Sequence, residues 1–223
     1  MIPRELIGTA QVPGGSPLML YRHGGDFMIV LERNELMSTR MSGSEVALGT
    51  MALDRLEGRP APHLLIGGYG MGFTLRAVLA QAGPTARVTV AELVPGIIEW
   101  ARGPMAELAA GCLDDPRVKL VMGDVGAVIV AGRGNFDAIL LDVDNGPDGL
   151  TREGNDGLYT KRGLAAAKAA LKPGGVLAVW SAAPDSSFAR RFERAGFAVA
   201  EVKVRARENG KGAIHTIWFG TAP

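Results

Sequence analysis

Beyond Pro62, short apolar runs alternate with segments of helical length, and this alternation constrains the fold more than any other feature of the sequence. The apolar runs predict five strands, at residues 63–66, 87–91, 118–121, 138–141 and 176–180. Helices are predicted near residues 73–82, 95–110, 125–131, 161–171 and 186–195. Continuous apolar strands separated by helices are typical of a parallel sheet that is covered on both faces.

Two more strands are predicted near residues 198–205 and 213–219, joined by a short link that contains glycine. A short link of this kind indicates a hairpin, so the sheet is expected to end with an antiparallel strand. The fold class is therefore α/β, with a doubly wound sheet of seven strands. Such a sheet binds ligands at the carboxyl ends of its strands, which makes the turns after the strands the candidate sites.

The first sixty residues have a different pattern. Residues 18–22 and 27–32 predict two strands, with a turn at residues 23–26 between them. A helix capped by Ser42 or Ser44 is expected to run to about residue 57, before residues 58–62 break the chain. We therefore expect a small β-hairpin and helix in residues 1–60, followed by a ligand-binding domain in residues 61–223.

Composition narrows the classes of function. The chain has 24 basic and 23 acidic residues, a net charge of +1, so nucleic acid is not the expected partner. It has no apolar run of membrane-spanning length and no secretory signal, which predicts a cytoplasmic protein without a membrane partner. Cys112 is the single cysteine, which fits a reducing compartment and excludes a zinc site built from cysteines.

The first predicted strand runs into a glycine-rich turn, formed by Gly67, Gly68, Tyr69, Gly70 and Gly72. The spacing differs from that of dinucleotide enzymes, and the Lys and Ser/Thr of a P-loop are missing. The glycines allow a ligand to approach the main chain, or they simply permit a tight turn from strand to helix.

Acidic residues follow the next two strands. Glu92, followed by Leu93, ends the second strand, where a carboxylate can accept hydrogen bonds from both ribose hydroxyls. Gly123, Asp124 and Val125 follow the third strand. Asp124 can accept a hydrogen bond from an exocyclic amine such as that of adenine, or it can cap the following helix. Together with the glycine turn, these residues predict a nucleoside pocket.

The fourth strand leads into an acidic loop that begins with Asp142, Asp144 and Asn145. Concentrated negative charge there attracts a cationic acceptor such as an amine, and a carboxylate can take the proton of an ammonium group. The other interpretation is a polar loop with Asx turns. Asp142, Asp144 and Asp148 could hold a divalent metal, but the calcium-loop spacing is missing and no metal is predicted.

Three further residues are secondary candidates. Trp180 and Ser181 end the fifth strand, where they line an acceptor pocket or serve as a core residue and a turn residue. His215, in the last predicted strand, faces the site or has a structural role.

Several stretches occur with the order and spacing of one known family: residues 64–68, 74–76, 90–93, 115–118, 123–124, 142–147, 158–161 and 171–176. On these stretches the chain resembles the class I S-adenosylmethionine-dependent transferases, and within them the spermidine synthase-like group. The resemblance implies a Rossmann-like fold of the class I methyltransferase type. It also implies that Glu92 holds the ribose, Asp124 the adenine, and Asp142 the proton of the acceptor amine. Glu45 lies roughly where that group has an N-terminal acidic residue.

The chain departs from the group at three positions. Aminopropyltransferases usually have an aspartate in the glycine turn, which grips the amino group of decarboxylated S-adenosylmethionine. The turn here lacks that aspartate and resembles the ordinary methyltransferase turn. Asn145 replaces the second acidic residue after strand four, and Ser44 stands where a tyrosine is expected before Glu45.

These observations lead to a main expectation and two alternatives. The main expectation is methyl transfer from S-adenosylmethionine to a small amine or cationic acceptor. Asp142 would be the base, Asp144 and Asn145 would orient the acceptor, and Tyr159 would close the pocket. The alternatives are a polyamine aminopropyltransferase that uses decarboxylated S-adenosylmethionine, and a nucleoside-binding protein without catalysis. The edges of the N-terminal hairpin would allow a homodimer.

Overall fold

The small N-terminal sheet has four strands. The computed structural model describes residues 3–143, 156–207 and 209–223. The strands are β1 (Glu5–Ala10), β2 (Leu18–His23), β3 (Asp26–Leu31) and β4 (Asn34–Ser38). They pair antiparallel in chain order, so the predicted hairpin β2–β3 is extended on both sides. The sequence pattern misses β1 and β4 because both are short and mix polar residues with apolar ones.

The large sheet confirms the predicted fold class. Its strands are β5 (His63–Gly67), β6 (Arg87–Glu92), β7 (Val118–Met122), β8 (Phe136–Leu141), β9 (Leu171–Ser181), β10 (Ala198–Arg205) and β11 (Ile214–Thr221). The spatial order is β10-β11-β9-β8-β5-β6-β7. Strands β5 to β9 are parallel, whereas β11 is antiparallel to both of its neighbours. Strands β6 and β7 are added on one side of β5, and β8 and β9 on its other side. This switch in strand order creates a crevice at the carboxyl ends of β5 and β8.

Helices cover both faces of the large sheet. They are α1 (Gly43–Asp54), α2 (Phe73–Gln81), α3 (Pro95–Arg102), α4 (Ala106–Ala109), α5 (Val125–Ala131), α6 (Asp156–Tyr159), α7 (Lys161–Ala170) and α8 (Ser186–Arg194). Apolar residues of α1, α2 and α3 share a core with the N-terminal sheet, and those of α5, α7 and α8 form the core of the opposite face. The predicted helix at residues 95–110 is divided between α3 and α4, because Gly103 and Pro104 interrupt it.

The N-terminal sheet packs closely on α3. A Cβ atom added to Gly8 of β1 would lie 2.7 Å from the Trp100 indole nitrogen, and one added to Gly96 would collide with the side chain of Ala10. These glycines bring β1 against α3 and fix the distance between the two sheets. No helix among the described residues has the length and apolar character that crossing a membrane requires.

A buried carboxylate joins the segment before β5 to the middle of the large sheet. Asp137 of β8 accepts hydrogen bonds from Arg59 at 2.5 Å, Lys172 at 2.6 Å and the backbone N–H of His63 at 2.7 Å. Asp137 is 3% exposed, so the three donors replace the water that burial removes from this charge.

Candidate active site

A cavity lies where the carboxyl ends of β5, β6, β7 and β8 meet the N-terminal sheet. Its polar wall comes from the turns after these strands and from the first turn of α1. Its apolar wall comes from the N-terminal sheet, the loop between β1 and β2, and the end of β9. The lining residues used below are Leu36, Met37, Glu45, Gly68, Gly70, Glu92, Leu93, Gly123, Asp124, Val125, Asp142, Val143 and Trp180.

The glycine turn after β5 lies directly beside the end of β8, which is one of the two neighbours of β5 in the sheet. Gly68 has a φ of 86°, in the left-handed region that favours glycine, and a Cβ there would collide with the carbonyl oxygen of Asp142. Its N–H donates to Ala91 at 2.9 Å, and the Asp142 N–H donates to Gly67 at 2.9 Å. The turn is thus hydrogen-bonded to both neighbouring strand ends, and its main chain forms part of the cavity wall.

Glu92 supports the turn with its carboxylate. Oε2 accepts a hydrogen bond from the Tyr69 N–H and Oε1 from the Val94 N–H, both at 2.8 Å. The residue is 7% exposed, and burial raises the pKa of its carboxyl group although these backbone donors oppose the change. The backbone N–H groups of Gly70 and Leu93 also favour the ionised form of this carboxylate.

Asp124 caps a helix and also lines the cavity. Its side chain caps α5, because Oδ1 accepts a hydrogen bond of 2.6 Å from the Gly126 N–H. The same residue lines the cavity beside Gly123 and Val125.

Two carboxyl groups share the part of the cavity that lies next to the N-terminal sheet. Asp142 follows β8, and its Oδ2 accepts a hydrogen bond of 2.6 Å from the Thr74 hydroxyl of α2. Glu45 belongs to the first turn of α1 and interacts electrostatically with Asp142.

Burial and mutual repulsion raise the pKa values of this pair. Burial raises the pKa of Asp142 to about 6, although the Thr74 hydroxyl opposes the change. The pKa of Glu45 rises to about 8, first because of burial and then because of the charge of Asp142. Interacting carboxyl groups titrate as a pair, so the two groups hold at least part of a proton near neutral pH.

Glu45 is hydrogen-bonded to Ser44, and Ser44 in turn to His215. The Ser44 hydroxyl lies 2.6 Å from Glu45 Oε2 and 2.8 Å from His215 Nδ1. The His215 ring packs edge-on against Trp180, with ring centroids 4.8 Å apart. Trp180 is 7% exposed and lines the cavity, and its indole nitrogen has no hydrogen-bond partner among the described residues.

The structure assembles most of the predicted site residues. Those that line the cavity are Gly68, Gly70, Glu92, Leu93, Gly123, Asp124, Val125 and Asp142. Gly67 and Gly72 shape the turn, and the Tyr69 side chain points away into the core, with its hydroxyl 3.5 Å from Cys112 Sγ.

Tyr159 is placed beneath the cavity wall instead of in the cavity. It is 2% exposed, packs edge-on against Phe188 and donates a hydrogen bond of 3.4 Å to the carbonyl of Val143. Ser181 donates to the carbonyl of Ala183 at 2.7 Å, as a turn residue does. Asp144, Asn145 and Asp148 lie outside the described residues.

Sequence patterns alone did not put several cavity residues on the candidate list. Leu36 and Met37 come from β4, which the pattern does not predict, and the family resemblance is the only sequence feature that points to Glu45. The signal for Glu45 is its position in the first turn of a helix that precedes β5, but its distance from Asp142 depends on the tertiary fold.

The fold and the position of the cavity define the class first: an α/β protein with a ligand site at the crevice of a doubly wound sheet. Comparison with known proteins then gives the family. The spermine/spermidine synthase domain matches residues 48–187, which is more than half of the chain, so the chain belongs to the spermine/spermidine synthase family. This result confirms the resemblance, and the family is one of transferases with a methyltransferase-like fold.

Known relatives support the same assignment. Polyamine aminopropyltransferase 1 of Streptomyces coelicolor is 33% identical over 153 residues, which are 65% of this chain and 28% of that protein. The polyamine aminopropyltransferase of Mycobacterium tuberculosis is 38% identical over 135 residues, which are 57% of this chain and 24% of that protein. The chain thus spans about a quarter of the length of these curated relatives.

A solved structure shows the fold. The crystal structure of spermidine synthase from Thermotoga maritima superposes with a TM-score of 0.78 over 98% of this chain and 73% of that chain. The sequence identity is 20%, so this likeness concerns the fold alone.

These comparisons correct the main functional expectation. Methyl transfer from S-adenosylmethionine is wrong as the main interpretation, because the family and the relatives above are named for polyamine synthesis and aminopropyl transfer. The expectation rests on the lack of an aspartate in the glycine turn. The structure shows that the cavity nevertheless contains two further carboxyl groups, those of Glu45 and Asp142.

Proposed function

We propose that this protein transfers the aminopropyl group of decarboxylated S-adenosylmethionine to a small amine. The observation that carries the proposal is the carboxyl pair Glu45 and Asp142, in the same cavity as Glu92, Asp124 and the glycine turn. The donor and the acceptor of such a reaction both carry amino groups. Paired carboxyl groups offset the positive charge of both amino groups when the acceptor nitrogen is held beside the donor carbon that it attacks.

The donor's nucleoside fits the polar wall. Glu92 would accept hydrogen bonds from the two ribose hydroxyls while its backbone donors hold it in place. Asp124 would accept from the adenine amine, beside the apolar side chains of Leu93 and Val125. The main chain of Gly68 and Gly70 leaves room for close approach of the ligand. The bound donor supplies an electrophilic carbon next to its sulfonium sulfur.

The acceptor fits the opposite wall. Leu36, Met37 and Trp180 offer an apolar surface for the methylene groups of an alkyl amine. Its ammonium group would face Asp142, which takes one proton and leaves a neutral nitrogen as the nucleophile. Positioning the nitrogen in line with the reacting carbon is the remaining requirement. We retain Asp144 and Asn145 as residues that orient the acceptor, and Tyr159 as a residue that closes the pocket by supporting its wall at Val143.

The test is an assay with two donors. Purified protein is incubated with a diamine such as 1,4-diaminobutane and either decarboxylated or intact S-adenosylmethionine, and mass spectrometry identifies the product. We expect the aminopropylated amine from the decarboxylated donor, together with 5′-methylthioadenosine. The proposal fails if that donor gives no product with any diamine or polyamine in a chain-length series. Glu92→Gln should then raise the donor Kd, with Glu99→Gln, on the surface of α3, as the matched control.

A further inference from the structure

A hydrogen-bonded row of three polar side chains leads from the cavity to the start of β11, the second strand of the large sheet. Glu45 Oε2 lies 2.6 Å from the Ser44 hydroxyl, which lies 2.8 Å from Nδ1 of His215. The three residues come from α1 and β11, and Ser44 is fully buried whereas His215 is half-buried. These three side chains therefore connect a carboxyl group of the cavity with a histidine that is partly exposed to solvent.

The arrangement has two hydrogen-bonding states. The Ser44 hydroxyl has one proton and two close neighbours. When Glu45 is ionised, Ser44 donates to Glu45 and accepts from a protonated Nδ1. When Glu45 is protonated, it donates to Ser44, and Ser44 donates to an unprotonated Nδ1. The tautomer of the His215 ring is thus tied to the protonation of Glu45.

The surrounding groups keep His215 neutral. Burial lowers the pKa of His215, so the ring does not trap a proton near neutral pH. Asp142, after β8, is the charged group that faces Glu45, and Thr74 of α2 bonds to Asp142. Trp180 of β9 packs against the His215 ring, and Val204 of β10 pairs with its backbone.

We propose that Ser44 and His215 carry the acceptor's proton from the Asp142–Glu45 pair to solvent, an inference that rests on the proposed function. The amine proton enters the carboxyl pair, and Glu45 passes a proton to the Ser44 oxygen while the Ser44 proton moves to Nδ1. The ring then loses its Nε2 proton to solvent, so one proton leaves for each amine that reacts. The starting tautomer is restored when the ring rotates away from Ser44, loses its Nδ1 proton to solvent and gains one at Nε2 from solvent, so the reset moves no net proton. Ser44 and His215 are positioning residues in this scheme, since they act through Glu45.

The first test replaces the ring. We expect His215→Ala to lower kcat about tenfold below pH 8, with a smaller loss above that pH, where Glu45 ionises without help. Added imidazole should restore a large part of kcat, and the KM for the donor should stay unchanged. Thr216→Val is the matched control, since this buried neighbour on β11 has no hydrogen-bond partner among the described residues. A wild-type pH profile in His215→Ala, or a loss that imidazole does not restore, would overturn the proposal.

The second test removes Ser44, the middle residue of the proposed proton relay. Ser44→Ala should reproduce the pH dependence of His215→Ala, but imidazole should have no effect because the link to Glu45 is missing. Thr50→Ala, on the same helix, removes a hydroxyl that bonds to the backbone of α1 and serves as the control. Rescue of Ser44→Ala by imidazole would contradict the proposed order of the relay.

A third measurement does not need turnover and separates this inference from the proposed function. The ¹⁵N signals of His215 are followed by NMR as a function of pH in wild-type protein and in Glu45→Gln. We expect a change of tautomer near pH 8 in the wild type that is absent from the variant. If the His215 tautomer changes as expected but the protein transfers no aminopropyl group, the hydrogen bonds between Glu45, Ser44 and His215 are supported and the proposed function is refuted. If the protein transfers the aminopropyl group but the His215 signals are the same in wild type and Glu45→Gln, the relay is refuted and the proposed function is not.

Discussion

At the scale of single residues, Asp142 has the environment of a base. It follows β8, accepts a hydrogen bond from Thr74, and has a pKa raised to about 6 by burial. A carboxylate with a pKa near the working pH can take a proton from the acceptor and release it again. Glu45, with a pKa raised to about 8, holds a proton close to it near neutral pH.

Replacing the base should affect the reaction more than nucleoside binding. We expect Asp142→Asn to lower kcat by about 10²- to 10⁴-fold, the range for loss of a general base. The Kd for 5′-methylthioadenosine, which lacks the aminopropyl group, should change little because Glu92 and Asp124 remain. Steady-state kinetics and calorimetry measure the two quantities. Asp114→Asn is the control because that side chain is 77% exposed, and full turnover by Asp142→Asn would exclude the role.

The raised pKa values also predict how stability depends on pH. Glu45 and Asp142 have folded-state pKa values of about 8 and 6, above their ordinary values of 4.5 and 3.8. Their contribution to stability is therefore complete below pH 4 and is lost as the pH rises through 6 and 8. We expect the Tm to be several degrees lower at pH 8.5 than at pH 5.5, because most of the interval between the ordinary and the raised pKa of Glu45 lies between these two pH values.

Glu45→Gln provides the check on this prediction. It removes the group with the larger pKa rise, so the difference in Tm between the two pH values should shrink. Differential scanning calorimetry measures both proteins in the same buffers. An unchanged difference would assign the pH dependence to other groups.

At the scale of elements, the glycine turn is the most sensitive part of the cavity. Gly68→Ala would place a Cβ against the Asp142 carbonyl at a φ of 86°, which strains the turn. We expect a loss of about 1–3 kcal/mol in the free energy of unfolding and at least tenfold weaker binding of 5′-methylthioadenosine. Urea denaturation and calorimetry measure these changes. Gly83→Ala, where a Cβ meets open space, should change neither.

The buried carboxylate of Asp137 and its donors Arg59, Lys172 and the His63 N–H should contribute to the free energy of unfolding and not to kcat. Asp137→Ala leaves Arg59 and Lys172 without their carboxylate and removes the acceptor of the His63 N–H. We expect a loss of about 2–4 kcal/mol in the free energy of unfolding, because hydrogen bonds to a buried charge are lost. The kcat of the folded fraction at low temperature should stay unchanged, and a large fall in kcat would link the cluster to the site.

The elements also show how far the sequence predicts the structure. The five parallel strands of the large sheet are predictable because each is a short apolar run between helices, and β10 and β11 because a short glycine-containing link joins them. Glu92, Asp124 and Asp142 follow from their places after strands. Strands β1 and β4 are not predictable, since they mix polar and apolar residues and gain their apolar contacts through pairing in the sheet and, for β1, through packing on α3. The relation of Ser44 to His215 is a tertiary contact that no local pattern contains.

At the scale of the whole molecule, the cavity belongs to both sheets. The expected boundary near residue 60 stays a proposal, because α1 packs against α2 and shares the core of the large sheet. The polar wall depends on the large sheet and α1, whereas Leu36 and Met37 depend on the N-terminal sheet. The distance between the sheets therefore decides the width of the proposed acceptor site.

A small wedge between the sheets should affect acceptor and donor differently. Gly96→Ala would press a Cβ against Ala10 and move β1 away from α3. We expect the KM for the acceptor to rise several-fold, with a smaller change in the donor Kd, because Glu92 and Asp124 stay in place. Gly83→Ala is again the control. Equal changes for both ligands would mean that the wedge disturbs the large sheet as well.

The contact between Ser44 and His215 joins positions 171 residues apart. Closing so long a loop costs conformational entropy, which is recovered after most of the intervening sheet has formed. Helical content can thus return early in refolding, while the complete cavity waits for β11 to reach α1. Recovery of ligand binding is then a stricter measure of completed folding than recovery of secondary structure.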